Sequence, residues 1–106
     1  MAHPLATSNS GTVETLSGTR TITAAEVLAS SIFTMDPGGA GRSVVLPNAA
    51  TAGMAGQIVM IANTADAAEV LTISADSATV VTPTQGESAI LWCTGVKWYG
   101  IAGANS

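Results

Sequence analysis

This chain is short of charge. Only 9% of its 106 residues are Asp, Glu, Lys or Arg, where about 25% is usual. Three basic and seven acidic side chains would sit on a folded surface of roughly 5,400 Å², about one charge per 540 Å². The bases are Arg20, Arg42 and Lys97, and the net charge is −4. No cluster of Lys and Arg is present to neutralise phosphates, which excludes an electrostatic nucleic-acid partner. It equally excludes a polybasic membrane anchor. The single cysteine, Cys93, cannot form an internal disulfide, in keeping with synthesis in reducing cytosol. One cysteine and one histidine, His3, fall short of a zinc site. No apolar run approaches the roughly 20 residues that span a bilayer. The opening Met1-Ala2-His3-Pro4-Leu5-Ala6-Thr7-Ser8 lacks the basic start and apolar middle of a secretory leader, so none is expected.

What is abundant is small and apolar. Hydrophobic residues make up 47% of the chain, and its mean hydropathy is +0.43. With so little charge, a monomer would show large apolar patches, and such patches mark contact surfaces. The competing explanation is that Ala and Gly inflate the hydrophobic count, while Thr, Ser and Asn keep the surface wet. Residues 1–11 are small, polar and aperiodic, and read as a flexible N-terminal arm: a disordered tail, or an arm that orders on a neighbouring subunit.

Residues 12–106 read as one β domain. Val13 to Leu16 suits a short strand, and Ser17-Gly18 a turn. Thr21-Ile22-Thr23 is β-like, and Thr23 with Glu26 three residues later predicts a capping box over one turn of helix at Ala24 to Leu28. Ile32 to Met35 and Ser43 to Leu46 read as strands around the Asp36-Pro37-Gly38-Gly39-Ala40-Gly41 loop. Gln57 to Ala62 is apolar on both faces, Ile58, Met60 and Ala62 against Val59 and Ile61, and so needs two covers. Val70 to Ser74 and Thr79 to Thr82 follow. The last hairpin runs out along Ser88 to Cys93 and back along Val96 to Ile101. A two-residue Thr94-Gly95 turn would pair Trp92 with Lys97, and put Leu91, Cys93, Val96 and Trp98 on the core face. A three-residue Cys93-Thr94-Gly95 loop would pair Trp92 with Val96 instead. About seven short strands with Gly, Pro and Asn between them predict an all-β fold: a small β-sandwich or jelly-roll-like domain, with short turns of helix at most. The candidate interface is Ile58, Met60 and Ile61 on the apolar strand with Ile90, Trp92, Lys97 and Tyr99 on the hairpin.

Signs of chemistry are thin. His3 lies in the arm, too unanchored to serve a nucleophile. Cys93 sits by a turn with no base to lower its pKa, and reads as a small apolar residue. Gly38-Gly39-Ala40-Gly41 lacks the Lys and Ser/Thr of a phosphate loop. Asp66 and Glu69 share a loop and could hold a weak ion, although solvated acids are the commoner arrangement. A glycosidase would need two acids brought within about 5–10 Å; dispersal of Asp36, Asp66, Glu69, Asp76 and Glu87 would end that reading. The expectation is a non-enzymatic chain with no catalytic centre, no metal and no cofactor.

Three segments resemble small structural proteins of tailed-phage virions. They are Thr21 to Leu28 (TITAAEVL); Asp36 to Ala50 (DPGGAGRSVVLPNAA); and Gly56 to Thr64 (GQIVMIANT), followed by Leu71-Thr72-Ile73. The closing Gly95-Val96-Lys97-Trp98-Tyr99 is similar to the aromatic last strand of phage β modules. The resemblance implies a homotrimeric virion protein, made in host cytoplasm. A chain of this size suits a capsid decoration (cement) protein on the outer capsid surface better than a fibre. The acidic balance also suits an outward-facing position, away from packaged DNA. Its partners would then be copies of itself and the major capsid protein, with the arm residues His3, Pro4 and Leu5 touching the capsid. A tail or fibre module that binds a host glycan or another tail protein is the alternative.

Overall fold

A computed structural model describes residues 12–105. The arm, with His3, Pro4 and Leu5, lies outside the described residues. The domain is all-β, as expected, with one short helix. Its strands are β1 (Glu14–Thr15), β2 (Arg20–Thr21), β3 (Ile32–Asp36), β4 (Arg42–Val45), β5 (Ile58–Asn63), β6 (Leu71–Ala75), β7 (Ala78–Val81), β8 (Glu87–Cys93) and β9 (Trp98–Ala104). They form two sheets, in the orders β1-β3-β5-β8-β9 and β2-β4-β6-β7.

The first six strands alternate between the sheets, so each circuit of chain adds one strand to each. Neighbours laid down this way run parallel: β1 with β3, β3 with β5, β2 with β4, β4 with β6. Two antiparallel hairpins then close the sandwich, β6–β7 on one sheet and β8–β9 on the other, with β8 antiparallel to β5.

Period-two alternation fills the space between the sheets. Phe33, Met35, Val59, Ile61, Ala89, Leu91, Cys93 and Trp98 point inward from the five-stranded sheet. Val44, Leu71, Ile73 and Ala75 meet them from the other. Trp98 is the largest buried side chain, and its indole N–H donates to Pro47 O at 2.8 Å. Gly100, next inward along β9, sits in a tight space. A Cβ there would come within 3.1 Å of Leu91 and 3.2 Å of Val80 on the opposite sheet.

The predicted capping box is present. Thr23 Oγ1 accepts from Glu26 N at 3.2 Å, and Glu26 Oε1 accepts from Thr23 N at 2.9 Å, opening α1 (Ala24–Ala29). Just before it, Arg20 joins the edges of the two sheets. Its Nε donates to Glu14 Oε2 at 2.6 Å, and its two terminal nitrogens donate to Glu26 at 2.9 and 2.7 Å. The Arg20 hydrogen bond holds the Glu26 carboxyl down to about 2, against burial that acts the other way. The same bond raises the Arg20 guanidinium above its ordinary value.

The closing hairpin follows neither register read from sequence. Cys93 pairs with Trp98 and Trp92 with Tyr99, leaving four residues, Thr94 to Lys97, in the loop. Thr94 Oγ1 accepts from Val96 N and Lys97 N, both at 3.2 Å, and Gly95 takes φ 95°. A side-chain hydroxyl therefore stabilises a longer loop than a tight turn requires. Val96, expected in the core, stands at the loop tip and is 87% exposed.

Candidate functional site

The outer face of the five-stranded sheet carries the candidate interface. Strand register turns scattered residues into rows. Ile32 lies beside Met60, Met60 beside Ile90, and Ile90 beside Ile101, so one aliphatic row crosses four strands. The next row on the same face joins Ile58, Trp92 and Tyr99. At about 4.8 Å between strands and about 7 Å between same-face rows, the two form one continuous patch. All seven side chains are exposed, from 38% for Ile32 and Trp92 to 62% for Ile101. None of the seven is charged. The third row, Thr34, Ala62, Ser88 and Gly103, is small or polar and bounds the patch. Two shallow grooves of about 280 Å³ each flank the Ile90 ridge. One is lined by Ile32, Met60 and Ala62, the other by Ile101 and Gly103.

Trp92 and Tyr99 stack with ring centroids 6.1 Å apart and planes at 20°. The Lys97 ammonium lies 5.5 Å from the Tyr99 centroid, within cation–π reach.

Of the expected interface residues, Ile58, Met60, Ile90, Trp92 and Tyr99 share this face. Ile61 does not. The pairing of Val59 with Leu91 and of Ile61 with Ala89 sends both β5 side chains inward, and Ile61 is fully buried. Lys97 leaves the sheet for the loop because Tyr99 takes the place opposite Trp92. Ile32 and Ile101 were missed. Both were legible as exposed-face β residues only once their partners were known.

The four-stranded sheet presents a different outer face. Thr21, Val45, Ser74 and Thr79 form one row across it, and Ser43 pairs with Thr72 beside them. Beyond its edge, a groove of about 490 Å³ lies between β7 and β9, lined by Asp76, Thr79, Val80, Lys97, Trp98 and Tyr99.

Reactive groups are engaged elsewhere. Cys93 is buried, with its Sγ 3.5 Å from Ala49 O. Arg42 Nε donates to Pro37 O at 2.9 Å. The Glu87 carboxyl accepts from Thr84 N at 2.8 Å, which lowers its pKa. Asp76 Oδ2 accepts from Ala49 N at 3.3 Å. The acids are not all dispersed, however: Asp36, Asp66 and Glu69 come together, with one oxygen from each carboxylate within 4.8 Å of the others. No helix among the described residues is long and apolar enough to cross a membrane. Comparison with known proteins gives no matching family model, no similar curated protein and no similar solved structure.

Proposed function

We propose that this chain is a non-enzymatic structural protein that assembles with copies of itself through the outer face of the five-stranded sheet. The observation that carries the reading is the two-row patch of seven exposed apolar side chains, from Ile32 to Ile101, on a protein with very little charge. Burying such a patch is the main gain in protein association. Its aromatic pair, Trp92 with Tyr99, is of the type that dominates interface energetics. The resemblance to tailed-phage virion proteins supports reading the assembly as a homotrimeric capsid decoration protein that clamps major capsid protein subunits from outside. A trimer multiplies each weak capsid contact through effective concentration.

Light scattering on a size-exclusion column tests the assembly. The wild type should elute at three times the chain mass. Ile90→Asp, at the centre of the patch, should elute as a monomer with an unchanged far-ultraviolet spectrum. A wild type that is monomeric at micromolar concentration overturns self-assembly through this face. Co-sedimentation with capsids lacking their decoration protein then tests the location.

A second reading, a tail or fibre module that binds a host glycan, is favoured by the groove beside Tyr99, whose lining mixes Asp76, Thr79 and Lys97 with aromatic surface. Glycan-array binding lost in Tyr99→Ala would select it.

A further inference from the structure

The three acids that converge come from two separate parts of the chain. Asp36 ends β3, while Asp66 and Glu69 sit in the segment that leaves β5 for β6. That segment is tied down at both ends. Thr64 N and Thr64 Oγ1 both donate to Met35 O, at 2.8 and 3.0 Å, which places the segment against the end of β3. Asn63 is fully buried and uses its whole amide: Nδ2 donates to Glu69 O at 2.9 Å and Pro83 O at 3.1 Å, and Oδ1 accepts from Ala65 N at 2.9 Å. These bonds bring Glu69 back toward Asp36.

Glu69 is half-buried over the whole residue, but its carboxylate end is buried. Its Oε1 is cut off from solvent and has no hydrogen-bond partner among the described residues. A buried, unpartnered carboxylate oxygen is costly, and a second and third carboxylate beside it add repulsion. No Lys or Arg lies within ion-pair distance of the three among the described residues; the ion pairs there join Arg20 to Glu14 and Glu26. Asp36 Oδ1 accepts from Gly38 N at 2.9 Å, but no donor among the described residues reaches Glu69 Oε1, and no cationic side chain there balances the three carboxylates, whereas a bound cation would.

We propose that Asp36, Asp66 and Glu69 bind one divalent cation of calcium's size and hardness, which pins the β5–β6 connection to the end of β3. The donor set is all oxygen, which suits a hard cation. Two ligand oxygens on opposite sides of a calcium ion, at about 2.4 Å each, are about 4.8 Å apart. That span encloses all three ligand oxygens here. Calcium also tolerates irregular geometry and completes its shell with carbonyls and water. The exposed Asp66 leaves one side of the site open to water. A glycosidase acid pair fits less well, because a sugar must pass between carboxyls about 5 Å or more apart. With three carboxylates and an open side, affinity should fall in the roughly 10⁻⁴–10⁻³ M range of extracellular calcium modules.

Isothermal titration with calcium chloride and thermal unfolding in EDTA or millimolar calcium, at pH 7.4 and one protein concentration, test the site. One ion should bind per chain, and the melting temperature should rise with calcium by mass action. Asp66→Asn and Glu69→Gln should each weaken binding by about tenfold or more. In EDTA both variants should melt at or above the wild type, since each removes a repelling charge; in calcium they should melt below it. An absence of binding heat together with equal wild-type melting in EDTA and calcium overturns the proposal. So does equal loss of stability by the variants in both buffers, which would make the carboxylates structural only. These readouts do not depend on which oligomer the protein forms.

Discussion

The two sheets bury similar side chains toward each other and present unlike surfaces to the outside. Sheet β1-β3-β5-β8-β9 shows Ile32, Ile58, Met60, Ile90, Trp92, Tyr99 and Ile101; sheet β2-β4-β6-β7 shows Thr21, Ser43, Thr72, Ser74 and Thr79 beside Val45. Low charge is common to both, so charge does not distinguish them. The distinction is whether uncharged surface is hydroxyl or hydrocarbon. Hydroxyls satisfy themselves with water, whereas the hydrocarbon face gains by meeting another apolar surface. The two features weighed for the composition fall on different sheets: Thr and Ser line one outer face, and hydrocarbon lines the other.

The sharpest way to break this contrast lies within β5. Ile61→Ala should cost about 2–5 kcal/mol of folding stability, because Ile61 faces the core. Met60→Ala, one residue away on the outer face, should change folding by less than about 1 kcal/mol while weakening assembly. Urea unfolding with light scattering reads both; equal folding losses would mean that the two faces are equally buried.

The next test concerns the Arg20 bridge, which belongs to neither outer face. Glu26 titrates lower in the fold than its ordinary 4.5, at about 2. Its contribution to stability is therefore complete above about pH 5 and is lost as pH falls from there through 2. Glu26 is partly exposed, so the loss should be on the order of 1 kcal/mol after solvent screening. Arg20→Met should flatten the fall in urea midpoint between pH 7 and pH 3. An unchanged slope would show that the bridge carries no linkage.

The smallest effect should come from the hydroxyl face. Ser74→Ala and Thr72→Ser should each shift stability by no more than about 0.5 kcal/mol and leave the mass in solution unchanged. A change in mass would move the interface to the other sheet.

Much of the fold was legible because its signals are local. The capping box depends on Thr23 and Glu26 alone, and alternation in Gln57 to Ala62 marked a strand with two apolar faces. The strand order was not legible. Parallel neighbours such as Glu14 and Met35, or Ile32 and Met60, are joined by long crossovers whose residues carry no pairing code. The β6–β7 turn hid for another reason. Asp76 and Ser77 adopt φ of 52° and 65°, where Asn-Gly would have announced the hairpin. The apolar outer face was half legible: Trp92 and Tyr99 stood out by type, but only register shows that Ile32 and Ile101 extend it and that Ile61 does not. The acid cluster was least legible. Asp66 and Glu69 share a loop, but Asp36 joins them only because β3 and β5 run side by side.

The alternation of strands between sheets also sets a timetable for synthesis. β5 can pair with β3 as soon as it is made, but its other edge stays open until β8, beginning at Glu87, has been translated. During that interval one of the most apolar strands in the chain offers an unpaired backbone edge to other nascent chains. The long separations between parallel partners slow the search as well. The C-terminal hairpin is thus the last stitch in time. A chain truncated before it would keep most of its core residues and lose its protection against misassembly.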